Sequence, residues 1–443
     1  MMATRQIVPI VIALISVMLS ACVDAGEKKE RPTGPAFPVD GKAMAEVIEH
    51  ARNELMQSSS VTVRADNLRL DVQLKAVADL PFAGSDDRSV RHDGFWGDLQ
   101  PGGIRLYATE RIALFYALDE LQEMLSERTR MLPSGQFFSW ADHEVRALHL
   151  VMRKLSEAEA RALIDQARQT RFNTLILQLS DAVRFDNDVI RYRDDAISKS
   201  AFVRIIDYAR DQGFDVVPGI QLLTHQEHFF KSRYPQLMYN SSTYDPRNAE
   251  TMRLVAAYLQ EVIDTIKPDA IHIGHDEVAG LTEKTRKKWL RPEESALPPE
   301  LFLQHVIDIQ RLLSEQDLET WMWGDMLSTH HEFPTMHAAD FNGLGGYADL
   351  RGRLPASVVI CDWHYYQRRG PFLTAAAHAA EGHPVLGTTW KSPANIVAFS
   401  KYMADLPGSR GMIASTWFHV QRRERDVVND IIETSGKRFW NAR

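Results

Sequence analysis

Residues 270–277 read AIHIGHDE, a short apolar run that ends in an imidazole and two carboxylates. A continuous apolar run of this length is typical of a strand that is buried on both faces. Residues 249–266, just before it, show the apolar period of an amphipathic helix. A helix that leads into a buried strand is the repeating unit of a parallel α/β fold.

The same unit recurs on both sides of this stretch. Apolar runs lie at 147–152, 174–179, 215–220, 270–274, 319–323, 357–361, 384–388 and 411–415. Helical patterns lie between them at 157–170, 200–212, 249–266, 298–315 and 394–403. This alternation predicts a protein of the α/β class with a (β/α)₈ TIM barrel over residues 140–443. A doubly wound open sheet is the alternative, but no Gly-rich phosphate loop follows any run, which favours the barrel.

A small α+β domain is expected before the barrel, over residues 41–135. This region mixes short strand patterns with helical stretches at 44–56 and 111–128, and it shows no cluster of reactive side chains. Pro133-Ser134-Gly135 predicts a turn near the boundary between the two domains.

The composition is that of an ordinary soluble protein. The chain has 443 residues, 44% of them apolar and 25% charged, and a net charge of -8. These proportions exclude disordered, collagen-like and multi-span membrane classes. The mild acidity gives no electrostatic reason to expect nucleic acid as a partner.

Residues 1–21 are expected to be a lipoprotein signal peptide. Arg5 precedes an apolar run at 7–19 that is too short to span a bilayer. The run ends in Leu19-Ser20-Ala21-Cys22, which resembles the lipobox of bacterial lipoproteins, whereas a plain signal peptide is the alternative. The resemblance implies that Cys22 becomes the lipidated first residue, so that a lipid anchor attaches the protein to a membrane.

Val23 follows the cysteine, and the resemblance therefore implies sorting to the outer membrane if the source is a Gram-negative bacterium. The expected location is the bacterial cell envelope. Residues 22–40 are charged and rich in Pro and Gly, and they are expected to form a flexible tether. Lipidation would leave Cys361 as the only thiol, which excludes a disulfide framework.

Acidic, imidazole and aromatic side chains follow the predicted strands of the barrel. The carboxyl ends of barrel strands meet at one mouth, where the reacting groups of this fold lie. The candidates at these ends are Asp181, His225, Asp276, Glu277, Trp323, Asp325, Trp363, Tyr365, Tyr366, Trp390 and Trp417. Aromatic faces cover the C–H face of a pyranose while acids bond its hydroxyls, so this set favours a sugar site.

Asp276 and Glu277 are neighbours at the end of the fourth strand. Because side chains alternate along a strand, the two carboxylates are expected to approach a common centre from different directions. Two carboxylates with separate tasks are what cleavage of a glycosidic bond requires.

Residues 272–277 (HIGHDE) resemble the H-x-G-x-D-E motif of family 20 glycoside hydrolases, the β-N-acetylhexosaminidases. Further similar segments are 146–150 (RALHL), 173–181 (NTLILQLSD), 217–220 (VPGI) with His225, and 244–246 (YDP). The resemblance spans most of 140–420 and identifies the chain as a distant member of the family.

The resemblance implies a retaining, substrate-assisted mechanism, in which the 2-acetamido oxygen of the substrate attacks the anomeric carbon and forms an oxazolinium. It implies that Glu277 is the general acid and then the base, and that Asp276 holds the acetamide N–H. It further implies that His225, with Asp181 behind it, forms a relay to the acid.

The resemblance also implies the substrate contacts. Arg146 is expected to bond the sugar hydroxyls, and Tyr365 or Tyr366 to bond the acetamide oxygen; the sequence does not choose between them. Pocket contacts are further expected from Trp323, Asp325, Trp363, Trp390 and Trp417. The implied substrate is a carbohydrate with a terminal 2-acetamido sugar, and the resemblance implies no cofactor and no metal.

The motif departs from the family at His275, where a small residue is usual, and this imidazole is expected to crowd the pocket or to contact the substrate.

Two other functions stay open. A metal-dependent barrel hydrolase would use His225, His272 and Asp276 as ligands. A glycan-binding lipoprotein would bind sugar without turnover.

Overall fold

A computed structural model describes residues 29–65, 68–76, 92–127, 131–187, 189–226, 230–417 and 424–443. The predicted signal peptide and Cys22 lie outside these residues. No helix in the described ranges is long and apolar enough to cross a membrane.

The strands of the small domain are β1 (Lys29–Glu30), β2 (Ala36–Pro38), β3 (Ser60–Ala65), β4 (Leu68–Leu74), β5 (His92–Gln100), β6 (Gly103–Ala108), β7 (Met131–Pro133) and β8 (Gly135–Ala141). They form a six-stranded sheet of the order β1-β8-β5-β6-β4-β3 and a separate strand pair, β2 with β7. Its helices are α1 (Gly41–Leu55) and α2 (Arg111–Glu127). Asp40 caps α1 by accepting hydrogen bonds from the backbone of Lys42 and Ala43.

The flexible tether predicted for 22–40 is wrong over its second half. β1 pairs with β8, and β2 pairs with β7 in an antiparallel register. The backbone of Gly34 also donates to Ser134. Pro- and Gly-rich composition did not reveal these pairings, because the partners lie about a hundred residues away in the sequence. Residues 22–28 lie outside the described part.

Eight parallel strands close into a barrel, which confirms the predicted fold class. They are β9 (Val145–Val151), β10 (Thr174–Gln178), β13 (Asp215–Leu222), β14 (Ala270–Gly274), β15 (Glu319–Trp323), β16 (Val359–Trp363), β17 (Val385–Thr389) and β18 (Ser409–Ser415). Their order around the barrel is β10-β13-β14-β15-β16-β17-β18-β9. A short parallel pair, β11 (Val183–Arg184) with β12 (Ile197–Ser198), lies between β10 and β13 in the chain.

Helices surround the barrel. They are α3 (Glu157–Gln169), α4 (Lys199–Asp211), α5 (Ala249–Ile266), α6 (Glu283–Trp289), α7 (Pro299–Ser314), α8 (Leu373–Ala380), α9 (Pro393–Ala404) and α10 (Arg425–Trp440). The interior of the barrel is a packed apolar cluster that contains both Trp321 and Trp323. Small side chains at Ala147 and Ala270 in the same cluster leave room for the two indoles.

Arg146 lies at the wrong end of the barrel for the predicted sugar contact. It is the second residue of β9, and its guanidinium is fully buried. The guanidinium donates to the carboxylate of Asp93 in β5 and to the backbone carbonyls of Arg171 and His143. Arg146 therefore joins the small domain to the base of the barrel, five residues of strand below the mouth.

We expect Arg146→Met to lower the free energy of unfolding by about 3–5 kcal/mol, because it leaves Asp93 as an unpaired charge in the interior. Urea denaturation measures the loss. Arg204→Met is the matched control, since Arg204 is exposed and pairs with Glu157 at the surface, where such pairs contribute at most about 1 kcal/mol. Equal effects of the two substitutions would contradict the structural role of Arg146.

Candidate active site

A cavity of about 790 Å³ opens at the carboxyl ends of the barrel strands. Among the residues predicted for the site, the structure brings the acidic and imidazole groups Asp276, Glu277 and His225 to its wall. It also brings the aromatic side chains Trp363, Tyr365, Tyr366, Trp390 and Trp417 there. Arg146, Asp181, Trp323 and Asp325 do not line the cavity.

The backbone reverses sharply where β14 meets the two acids. Gly274, His275 and Glu277 all have positive φ angles, of 76°, 70° and 46°. A Cβ atom at Gly274 would lie 2.8 Å from Nε2 of Gln221, so glycine is required both for the backbone angle and for the close approach. Left-handed backbone at non-glycine residues is strained and is concentrated at functional sites.

His225 lies between the two acids. Its Nε2 is 3.7 Å from Oδ2 of Asp276 and 3.7 Å from Oε2 of Glu277. The imidazole also meets the indole of Trp289 edge to face, with ring centroids 5.0 Å apart. One imidazole can therefore act on both carboxylates.

Burial raises the pKa of Glu277, and the neighbouring charge of Asp276 raises this pKa further. His225, Lys288 and Lys284 act in the opposite direction. A carboxyl group with a raised pKa holds its proton closer to neutral pH, as a general acid must.

Asp276 is almost fully buried and is fixed by Gln221, whose Nε2 donates to Oδ1 at 2.5 Å. Sequence reasoning missed Gln221. Gln221 lies near the carboxyl end of β13 and lines the cavity. The expectation that functional residues lie at the carboxyl ends of the barrel strands therefore applies to Gln221 as well.

The predicted relay from His225 to Asp181 is wrong. Oδ1 of Asp181 accepts two hydrogen bonds from Arg153, at 2.7 and 3.1 Å, and no described contact joins Asp181 to His225. β10 lies between β9 and β13, and Asp181 turns toward the guanidinium that follows β9. Arg153 lines the cavity, and it is the arginine that sequence reasoning should have chosen, because it follows the end of β9.

An aromatic wall, formed by Trp363, Tyr365, Trp390 and Trp417, closes one side of the cavity. The rings of Trp363 and Tyr365 stack at 4.9 Å, and the Trp417 indole donates to the Tyr365 hydroxyl at 2.6 Å. Tyr366, by contrast, is half exposed at the rim and stacks on His337. The structure therefore places the hydroxyl of Tyr365, rather than that of Tyr366, in the wall.

Two predicted contacts lie beneath the cavity. Trp323 has no exposed surface, and its ring packs against His272 at 4.1 Å and against Trp417 at 5.5 Å. Asp325 is also buried, and its Oδ2 accepts hydrogen bonds from the Glu277 backbone at 3.0 Å and from Asn342. The expected sugar contacts of Trp323 and Asp325 are thus wrong; both residues support groups that line the cavity.

His275 points away from the cavity, so the expectation that it crowds the pocket or contacts substrate is wrong. Its Nε2 is hydrogen-bonded to Nδ1 of His305 at 2.8 Å, and Nε2 of His305 is hydrogen-bonded to the Tyr244 hydroxyl at 2.8 Å. Burial lowers the pKa values of both His275, to about 4, and His305, so this row of hydrogen-bonded side chains is uncharged at neutral pH.

The ligand set of the alternative metal-dependent enzyme is not assembled. The ring of His272 packs against Trp323 inside the barrel, whereas His225 lies beside the two acids. Within the described ranges, no three His, Cys, Asp or Glu side chains are grouped so that they could hold a metal ion.

A buried ion pair anchors the segment that carries the aromatic wall. His364 lies between Asp362, at 3.1 Å, and Asp340, at 3.6 Å. Burial alone would lower the pKa of His364, but the two carboxylates raise it to about 9. Asp340 also accepts a hydrogen bond from the backbone of Tyr365, which ties the charged cluster to the wall.

The His364 pair predicts a loss of stability at alkaline pH. The folded-state pKa of about 9 exceeds the ordinary value of 6.5, so the stabilisation is complete below pH 6.5 and is lost as the pH rises through 9. We expect a contribution of about 3 kcal/mol. Urea denaturation of the wild type and of His364→Gln checks this: their stabilities should differ at pH 6 and converge by pH 10. A difference independent of pH would contradict the charged pair.

Residues 155–369 match the family model described as glycosyl hydrolase family 20, catalytic domain. The fold is similar to a Flavobacterium johnsoniae chitobiase, with a TM-score of 0.67, 13% identity, and coverage of 92% of this chain and 67% of that one. It is similar to a Bacteroides fragilis β-N-acetylhexosaminidase, with a TM-score of 0.63, 18% identity, and coverage of 93% and 89%. It is also similar to a mutant Streptomyces plicatus β-hexosaminidase in complex with product GlcNAc. The TM-score is 0.63 and the identity is 14%, and the match covers 93% of this chain and 88% of that one.

Proposed function

We propose that this protein, a glycosidase by its match to family 20, removes terminal β-linked N-acetylhexosamine (GlcNAc or GalNAc) with retention of configuration. The observation that carries the proposal is the unlike environment of two adjacent carboxylates. Asp276 is buried and held by Gln221, whereas the side chain of Glu277 is about a third exposed and has a raised pKa. Asp276 is suited to hold a group of the substrate in place, and Glu277 is suited to exchange a proton with the substrate.

The first step breaks the glycosidic bond. Glu277 donates its proton to the leaving oxygen while the 2-acetamido oxygen of the substrate attacks the anomeric carbon, giving a neutral leaving alcohol and a cyclic oxazolinium. Asp276 accepts a hydrogen bond from the acetamide N–H and stabilises the positive charge that develops on this group. The substrate thus supplies its own nucleophile, as in the families that depart from the two-carboxylate scheme.

The second step opens the ring. The Glu277 carboxylate takes a proton from water as the water oxygen attacks the anomeric carbon, which restores the acetamide and the protonated acid. Tyr365 is the wall hydroxyl that we assign to the acetamide oxygen. Arg153, in place of Arg146, is the guanidinium that we assign to the sugar hydroxyls, because it lines the cavity.

The test compares an aryl N-acetyl-β-hexosaminide with the aryl β-glucoside that carries a 2-hydroxyl. We expect kcat/KM to be at least about 10³-fold higher for the first, since effective molarities of intramolecular nucleophiles are large. Equal turnover of the two substrates would reject the mechanism. Binding of N-acetylhexosamine without turnover would instead indicate the glycan-binding alternative.

We further propose that the protein is an envelope lipoprotein anchored through Cys22, on the basis of the lipobox-like Leu19-Ser20-Ala21-Cys22. Full-length protein expressed in a Gram-negative host should enter the detergent-rich phase on phase separation. Cys22→Ser should move it to the aqueous phase, because two or more acyl chains supply the membrane affinity. Equal partitioning of the two proteins would reject the lipid anchor.

A further inference from the structure

Helix α6 brings three side chains to the mouth of the cavity beside Glu277. Lys284 and Lys288 are four residues apart and share one face of the helix, and Trp289 follows at its end. The indole of Trp289 meets His225, and the ammonium of Lys288 lies 4.3 Å from the centre of this indole ring. The three side chains form a surface with an aromatic face and two cations, which we call the α6 rim.

The two cations of the rim have no carboxylate partner among the described ion pairs. Lys287, between them in the sequence, pairs with Glu283, but neither Lys284 nor Lys288 forms an ion pair in the described part of the chain. Both are exposed. Both also lower the pKa of Glu277, which opposes the work of a general acid. Proton donation by Glu277 therefore does not explain their position.

We propose that the α6 rim binds an acidic sugar in the leaving group, one that carries a carboxylate or a sulfate. The proposal rests on the proposed function, because proton donation by Glu277 to the leaving oxygen makes its side of the cavity the leaving-group side. The face of Trp289 covers the C–H face of a pyranose ring. Lys284 and Lys288 supply point charges for the anion, since no carboxylate in the described ranges forms an ion pair with either of them.

The experiment measures kcat/KM for matched pairs of leaving groups. One pair is N-acetylglucosaminyl-β-1,4-glucuronic acid and its methyl ester, which removes the charge and keeps the ring. The other is N-acetylglucosaminyl-β-1,4-glucose with and without a 6-O-sulfate. We expect the charged member of at least one pair to be preferred about tenfold at low ionic strength, and the pair that shows the preference identifies the anion. The preference should shrink in 0.5 M salt.

The double variant Lys284→Ala/Lys288→Ala should reduce the charged-to-neutral ratio of kcat/KM to about one. Lys287→Ala is the matched control on the same helix, and it should keep the wild-type ratio because Lys287 pairs with Glu283. The ratio also cancels any change that the variants cause in the pKa of Glu277.

The inference fails if neither pair shows a preference, or if the preference survives in the double variant. It fails separately from the proposed function, which the aryl N-acetyl-β-hexosaminide tests without any acidic leaving group. If the aryl substrate is turned over but the charged-to-neutral ratio of kcat/KM is one for both pairs of leaving groups, only the proposed role of the α6 rim is rejected. No turnover of the aryl substrate would reject the proposed function and this inference together.

Discussion

Glu277→Gln should lower kcat for an N-acetyl-β-hexosaminyl disaccharide by about 10³-fold at neutral pH, in the middle of the range for a lost general acid. Glutamine keeps the size of the side chain but cannot donate a proton to a sugar alkoxide. Since Glu277 is partly exposed and has no side-chain hydrogen bond in the described contacts, the substitution should leave the urea midpoint nearly unchanged. Steady-state kinetics and urea denaturation of the same preparation check both statements.

The loss should depend on the leaving group. A nitrophenolate leaves without protonation, so Glu277→Gln should slow the first step much less for an aryl substrate than for a disaccharide. Glu283→Gln is the matched control: it is the same substitution on α6, at a residue that pairs with Lys287. Similar losses of kcat/KM, which reports the first step without the later base-assisted step, for both leaving groups would show that Glu277 is not the general acid.

The strands of the barrel could be predicted from the sequence because their signal is local. A buried strand between helices is a continuous apolar run, and each run predicted here overlaps an observed strand, from β9 (Val145–Val151) to β18 (Ser409–Ser415). The carboxyl ends of these strands then indicated which residues meet at the mouth, which is how Asp276, Glu277 and His225 were found.

The height of a side chain in the barrel was harder to predict. Arg146 and Trp323 both belong to barrel strands, but Arg146 lies at the base and Trp323 lies under the floor of the cavity. Position in a strand fixes height at about 3.3 Å per residue, and a resemblance in the strand sequence does not replace that measurement. Arg153, past the end of the same strand, reaches the cavity.

Partners that are distant in the sequence could not be predicted at all. The side chain of His275 is held away from the cavity by its hydrogen bond to His305 on α7, which no local pattern around the motif indicates. Asp181 had two possible partners on neighbouring strands, and the choice of Arg153 depends on the geometry of the turn after β10. The sequence does not single out Lys284 and Lys288, because lysines in a run of charged residues usually face solvent.

Asp276→Asn should lower kcat/KM for N-acetylhexosaminides by about 10²–10³-fold, the loss expected when one preorganised group at a developing charge is removed. The amide oxygen can still accept the hydrogen bond from Gln221. The amide N–H group then faces the acetamide N–H of the substrate, donor against donor, and the negative charge opposite the oxazolinium is gone. The affinity for a thiazoline mimic of this intermediate should fall by a similar factor, because only transition-state-like binding is lost.

The same substitution should move the pH profile in a defined direction. The acid must be protonated, so activity falls as the pH rises through the pKa of Glu277. The charge of Asp276 raises this pKa, and Asp276→Asn removes that charge, so the alkaline limb should move to lower pH. Asp264→Asn, at an exposed position on α5, is the matched control and should leave the profile in place. An alkaline limb that stays fixed or moves upward in Asp276→Asn would show that the two carboxylates do not act on each other, and the division of labour between them would have to be abandoned.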